Sequence, residues 1–156
     1  MGGTSDADDR VSAWRAMLRA HSVVLKAIDA DLAAADLLPL HWYDVLLELN
    51  AAPDRRLRMA ELGDRVVLSR SRSSRVVDEL VHRGLVERTP DPADRRASFA
   101  RLTPTGHQAL RRTAPAYLAS IDDHFTRHLS AAERATIARA LERIVVAADG
   151  GRPRRG

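Results

Sequence analysis

No cysteine occurs in the 156 residues, which excludes disulfides, thiolate metal sites and sensing by cysteine oxidation. Aromatic residues make up only 4% of the chain although 45% of it is hydrophobic, so the core must be aliphatic. The bias toward Ala, Leu, Val and Arg suits a helical soluble chain rather than a disordered one. No apolar run approaches the roughly 18 residues that span a bilayer, and the opening MGGTSDADD is acidic where a secretory leader would be basic. The chain therefore reads as cytoplasmic, with no membrane partner. Also missing are a glycine-rich phosphate loop, a nucleophile elbow and an HExxH pair. With most acids on expected solvent faces, the reading is a non-enzyme with no cofactor. Single cores run to about 100 to 200 residues, so the length leaves no room for a separate catalytic domain.

Positive charge, by contrast, is present and unevenly placed. Residues 55–101 hold 12 of the 25 Lys and Arg residues and 7 of the 21 Asp and Glu residues, a local net charge of +5 against −1 for the remainder. The whole positive excess sits on one unit, which is the footprint expected where a protein meets a polyanion.

That unit, residues 57–103, follows a first helical stretch whose apolar residues Val11, Trp14, Leu18, Leu25, Ile28 and Leu32, with His21 in the gap, form a heptad seam. Such a seam requires a covering helix. The helix should stop near 36–38, and Pro39 can open a second helix to about Asn50 with Trp42, Val45, Leu46 and Leu49 inward. Ala52, Pro53 and Asp54 end it. A short strand at Leu57 and a helix from Met59 to about Val66 come next. Ser69 is placed to cap the following helix, which runs to Arg83 and stops at Gly84. Its inner stripe is Val76, Val77 and Leu80. Two strands, 85–88 and 98–102, are expected to be joined by a polar loop over 89–96, too long for a tight hairpin. Thr103 and Pro104 start a further helix to about His128, which Pro115 should bend. Ser130 to Glu133 has the form of a capping box, and Ile137, Leu141, Ile144, Val145 and Ala148 give the last helix its apolar face.

Helix, helix, strand, turn and strand in this order predict a winged helix-turn-helix. The first turns of its second helix present Ser69, Arg70, Ser71, Arg72, Ser74 and Arg75. Hydroxyls and backbone N–H groups there suit phosphates, and guanidinium forks suit guanine O6 and N7 in the major groove. A solvated Ser and Arg surface is the bland alternative. It is weakened because Asp78 and Glu79 fall beyond the basic turns and because Arg95 and Arg96 follow on the wing. One wing arginine is expected in a minor groove, with Asp94 holding the other guanidinium. Arg58 completes the set of DNA-binding candidates.

These stretches together resemble the MarR family of winged-helix transcription regulators over nearly the whole chain. The resemblance is carried by Tyr43-Asp44-Val45-Leu46, by Leu57 to Leu62, by Leu68-Ser69-Arg70-Ser71, by Arg75 to Leu80, by Arg83-Gly84-Leu85-Val86, by Asp94-Arg95-Arg96-Ala97 and by Leu102-Thr103-Pro104-Thr105-Gly106. Ser73, where the family commonly has an apolar residue, and Gly63, where alanine is usual, depart from it. The resemblance implies a mainly α fold, with a winged helix-turn-helix lobe at about 38–103 and a small β wing. Dimerisation helices at about 10–36 and 104–149 and flexible tails at 1–9 and 150–156 complete a single domain. It implies a homodimer on a pseudopalindromic operator in double-stranded DNA, acting as a ligand-responsive repressor, with the family's wing arginine and aspartate falling on Arg96 and Asp94.

It further implies a small aromatic or amphipathic effector between the dimerisation helices and the lobe, for which Trp14, His21, His41, Trp42, Tyr43 and Arg88 are candidates. His124 and His128 with Asp123 have the spacing of metal ligands, but without further ligands in view the reading is surface histidines and no metal. The competing function is a helical protein-interaction module that uses the winged helix and the seam without specific DNA binding.

Overall fold

A computed structural model of the protein describes residues 6–66 and 70–150. Helix α1 covers Asp6–Ala34 and α2 covers Leu40–Ala51. After a single 3-10 turn come strand β1 (Arg56–Arg58), helix α3 (Met59–Arg65) and helix α4 (Arg70–His82). The hairpin of β2 (Val86–Asp91) and β3 (Asp94–Leu102) leads into α5 (Pro104–His124), a second 3-10 turn and α6 (Ala131–Gly150). The fold is thus mainly helical, with one antiparallel sheet ordered β1-β3-β2.

Local chemistry explains the boundaries. Helix α1 begins earlier than the sequence suggests, at Asp6, where acidic residues suit the positive end of a helix dipole. Pro39 stands at the N-cap of α2 rather than inside its first turn, and it offers no capping side chain. Asp29 of α1 supplies one instead, accepting from the Leu40 amide at 3.0 Å. Helix α4 ends on Gly84 at φ 69°. There the Gly84 N–H reaches the Val81 carbonyl and the Leu85 N–H reaches the Leu80 carbonyl, each at 2.9 Å, the paired closure that a left-handed glycine permits. Thr103 caps α5 by accepting from the Gly106 amide at 3.0 Å. Ser130 and Glu133 form the expected reciprocal cap of α6, the Ser130 N–H donating to Glu133 Oε2 at 2.8 Å and the Glu133 N–H to Ser130 Oγ at 3.3 Å.

Two expectations are corrected. The wing is not a long loop: β2 and β3 pair as far as Asp91 and Asp94, leaving only Pro92 and Ala93 between the strands. The polar, proline-bearing composition suggested a loop, yet β2 is an edge strand, where Pro90 forfeits no ladder bond in the sheet interior. A register shift at Pro90 and Asp91 absorbs the irregularity. Helix α5 ends at His124 rather than His128, because Phe125 leaves helical geometry at φ −137°. Pro115 lies inside it.

One apolar cluster unites the lobe: Leu46 and Leu49 of α2, Leu62 of α3, Val77 and Leu80 of α4, Val86 of the sheet and Leu110 of α5 are all buried. The periphery differs. Ile28 and Leu32 at the end of α1 are buried, whereas Val11, Trp14 and Leu18 on the same seam remain 45%, 58% and 45% exposed. From Ala131 to Ala148, α6 has no buried side chain, and Ile144 and Val145 are about 60% exposed.

Candidate nucleic-acid interface

Helix α4 is amphipathic by placement. Val76, Val77 and Leu80 enter the core, while Ser71, Arg72 and Arg75 are exposed and Ser74 is half-buried. Ser73 is itself buried at 2%, in keeping with its place on the inward stripe. Ser69 lies outside the described residues, and the side chains of Arg70 and Arg95 are likewise outside the description.

Both acids of α4 are turned to partners in the lobe. Asp78 takes the guanidinium of Arg88 on β2 at 3.1 Å. Glu79 accepts from Trp42 Nε1 of α2 at 3.0 Å, with the Arg83 guanidinium 5.7 Å from the Trp42 ring centre. The first contact offsets the charge of Asp78, and the second ties Glu79 to α2; together they hold the helix against α2 and β2. The basic half is left at the surface.

The wing is braced from its base. Asp91, 4% exposed, accepts from the Ala93 amide at 2.9 Å, the side-chain-to-backbone turn that aspartate favours. Its other oxygen stands 2.7 Å from the Arg58 guanidinium at an angle that makes no hydrogen bond, so charge holds this pair. Arg58 is thereby a strut between β1 and the wing, although its side chain stays 53% exposed. Asp94 accepts from the backbone amide of Arg96 at 2.9 Å. This bond fixes the path of the strand that carries Arg96; the expected grip on the other wing guanidinium involves the Arg95 side chain, which lies outside the description. Arg96 is exposed.

The six effector candidates are spread over α1 (Trp14, His21), α2 (His41, Trp42, Tyr43) and β2 (Arg88). Tyr43 is core, its ring 4.4 Å from that of Tyr117, and burial raises both phenol pKa values above the ordinary range, with the neighbouring Tyr117 and Asp44 adding to the two shifts respectively. Trp14 and His21 are exposed on α1. Arg88, besides its ion pair, lies 3.5 Å from Ser74 Oγ and from the Met59 sulfur. His41 lines a recess of about 460 Å³ shared with Arg72, Arg75 and Glu79.

His124 and His128 are each engaged elsewhere. His124 Nε2 is 2.8 Å from Asp31 of α1, and His128 Nε2 is 3.0 Å from the Asp123 carbonyl. Among the described residues no three metal-ligating side chains come together. Asp31 also accepts from the Ser120 hydroxyl at 2.5 Å. That bond first, and His124 second, holds its carboxyl below the ordinary aspartate value.

Sequence reading missed the Asp78–Arg88, Glu79–Trp42 and Asp91–Arg58 contacts, since charges far apart in sequence carry no pairing signal. It also missed the seat of Gly106. A side-chain carbon there would fall well inside contact distance of the Leu85 carbonyl oxygen and 2.9 Å from Leu102 Cδ1. The Thr-Pro-Thr-Gly run was the available signal.

The family model described as MarR family matches residues 36–97. Among solved structures, Sco3205 of Streptomyces coelicolor, a MarR family transcriptional regulator solved in complex with DNA, superposes with a TM-score of 0.80 at 29% identity, covering 100% of this chain and 95% of that one. AbsC, a MarR family transcriptional regulator of the same organism, does so with a TM-score of 0.80 at 28% identity, covering 96% and 99%. The transcriptional repressor MprA of Escherichia coli K12 is 34% identical over 70 residues, which is 45% of this chain and 40% of MprA. The chain spans about half the length of the curated relatives it matches.

Proposed function

We propose that the chain is a member of the MarR family, whose model matches residues 36–97, and that it is a sequence-specific DNA-binding transcriptional regulator acting as a homodimer. One observation carries the reading: Asp78 and Glu79 are engaged by Arg88 and Trp42, and Ser71, Arg72 and Arg75 are exposed on the first turns of a helix whose other face lies in the core. Two arginines one turn apart suit guanine edges in a major groove. Ser69, Arg70 and Ser74 are kept as further candidates for DNA contact. Arg96, with Arg95 beside it, is assigned to the flanking minor groove, and Arg58 to bracing the wing with its exposed edge toward phosphate.

The dimer reading is supported by the uncovered apolar faces of α1 and α6, Trp14 at 58% and Ile144 at 62% exposed. Two-fold pairing would set two α4 helices about one DNA turn apart, matching a pseudopalindrome. The MprA relative is named a repressor, and repression released by a small effector is the sense proposed here. The effector would lodge in the recess between α2 and α4 that His41 shares with Arg72, Arg75 and Glu79, so that its binding strains the contacts that set the roll of α4.

Fluorescence anisotropy on DNA from the region upstream of the protein's own coding sequence tests the core of this. Affinity should fall with salt at a log–log slope of roughly −0.9 per phosphate contacted. Arg72→Ala and Arg75→Ala should each lower specific affinity by about 1 to 3 kcal/mol, while Arg96→Ala weakens binding more evenly across sequences. Equal affinity for the wild type and all three variants would sink the assignment.

A further inference from the structure

With no cysteine and three methionines in the chain, every oxidisable sulfur is a thioether. Two of the three fall within the described residues, Met17 half-buried on α1 and Met59 half-buried at the start of α3. They differ in what the sulfur meets. Met59 Sδ lies 3.5 Å from Arg88 Nη2, and that same nitrogen is 3.5 Å from Ser74 Oγ of α4. The other terminal nitrogen of Arg88 holds Asp78 of α4 at 3.1 Å. One cation on β2 therefore joins α3 to α4. A thioether accepts hydrogen bonds only weakly, so the sulfur leaves the guanidinium to Asp78.

We propose that Met59 is an oxidation site through which a peroxide loosens α4. The sulfur attacks hydrogen peroxide: a sulfur–oxygen bond forms, the oxygen–oxygen bond breaks, sulfur gives up two electrons, and the remaining oxygen leaves as water with both hydrogens. The product is a sulfoxide, polar where the thioether was apolar. A gap of 3.5 Å cannot hold both the new sulfur–oxygen bond and an ordinary N–H···O separation of about 2.7 to 3.2 Å. Arg88 must therefore shift to meet the oxygen, and away from Asp78. That ion pair yields readily, because the Asp78 side chain is 61% exposed and such pairs are weak. Half-burial leaves the sulfur within reach of a small oxidant. The rest of the side chain packs against the core of the lobe, which is where the new polarity does its damage. Weaker DNA binding as the consequence rests on the reading of α4 given above, whereas the loosening of α4 does not.

The test adds hydrogen peroxide to the full-length protein without DNA. Peptide mass spectrometry then reads oxygen gained at each methionine, and amide exchange reads Arg70–His82. Oxidation at Met59 should speed exchange in α4 by about fivefold or more and lower affinity for the upstream DNA by a similar factor. Methionine sulfoxide reductases acting on both epimers should restore both. Met59→Leu conserves volume and should respond to peroxide in neither measurement, although Met17 still oxidises. Met59→Gln, which puts an amide oxygen near the position of the sulfoxide oxygen, should loosen α4 with no oxidant present. Met59 left intact while Met17 is fully oxidised overturns the site, as does unchanged exchange in α4 once Met59 is oxidised, or an equal response in Met59→Leu. Faster exchange with unchanged affinity for DNA that the untreated protein binds overturns the consequence for binding. Absence of DNA binding by the untreated protein counts against the regulator reading alone, since the exchange measurement decides the site without DNA.

Discussion

Substituting Gly106 by alanine tests the joint between α5 and the end of α4. The added carbon meets the Leu85 carbonyl oxygen inside contact distance, and Leu85 C and Leu102 Cδ1 at 2.9 Å. Two of these are backbone atoms, which cannot swing aside. That carbonyl accepts from the Thr103 amide at 3.1 Å and lies 3.0 Å from the Thr103 hydroxyl, so pushing it away weakens two hydrogen bonds of about 0.5 to 1.5 kcal/mol each. Overpacking adds about 1 to 3 kcal/mol, and the better helix propensity of alanine returns at most about 1 kcal/mol. The net expectation is a loss of about 2 to 4 kcal/mol, which at about 2 to 4 °C per kcal/mol for a chain of this size lowers Tm by about 4 to 16 °C. Urea and thermal unfolding at one fixed protein concentration measure it, because the dimer proposed above would make apparent stability depend on concentration. A Tm within about 2 °C of wild type would refute the reasoning, since it would mean that α5 need not seat on Leu85.

Other outcomes follow from separate features. Asp91→Ala removes the acceptor of the Ala93 amide and frees Arg58; it should destabilise by about 1 to 2 kcal/mol in urea titration, with the wing the first region to lose amide-exchange protection. Ile144→Glu on the uncovered face of α6 should shift sedimentation from dimer to monomer at micromolar concentration; an unchanged dimer would place the interface elsewhere. Asp31 has a folded pKa below its ordinary 3.8, so the stability it contributes is present above that value and lost as pH falls through the folded pKa. Asp31→Asn should therefore flatten the decline in urea midpoint at acid pH, and an unaltered profile would show that the Ser120 and His124 contacts add nothing.

Much of the lobe was legible because its signals are local. The stop at Gly84 needs only a residue tolerant of positive φ, the Thr103 cap needs a hydroxyl before Pro104, and the inward stripe of α4 needs only helical spacing. The wing was misread for a physical reason: Pro90 and the charged residues around it look like loop until it is known that β2 is the sheet edge, and edge position is a property of topology. The candidate interface divides in the same way. Ser71, Arg72 and Arg75 declare themselves by position on a helix, whereas the Arg88 and Trp42 contacts that decide which face of α4 is basic join residues 10 and 37 positions apart. Nothing in a single sequence marks such pairs.

The same contacts indicate how the two halves of the molecule act together. Helix α4 is fixed at three places: Trp42 of α2 holds Glu79, Arg88 of β2 holds Asp78, and Thr103 at the start of α5 lies 2.8 Å from the Gly84 carbonyl just beyond its end. Helix α5 packs along α1 and carries the Ser120 and His124 contacts to Asp31. The helix proposed to read DNA therefore shares a joint with the helices proposed to set the distance between two protomers. With core packing close to that of organic crystals, a shift at the dimer contact cannot be absorbed within α5 and must appear as a rotation or displacement of α4. A mutation at Thr103 or Gly106, remote from any DNA contact proposed here, should accordingly change affinity for a two-site operator more than affinity for an isolated half-site.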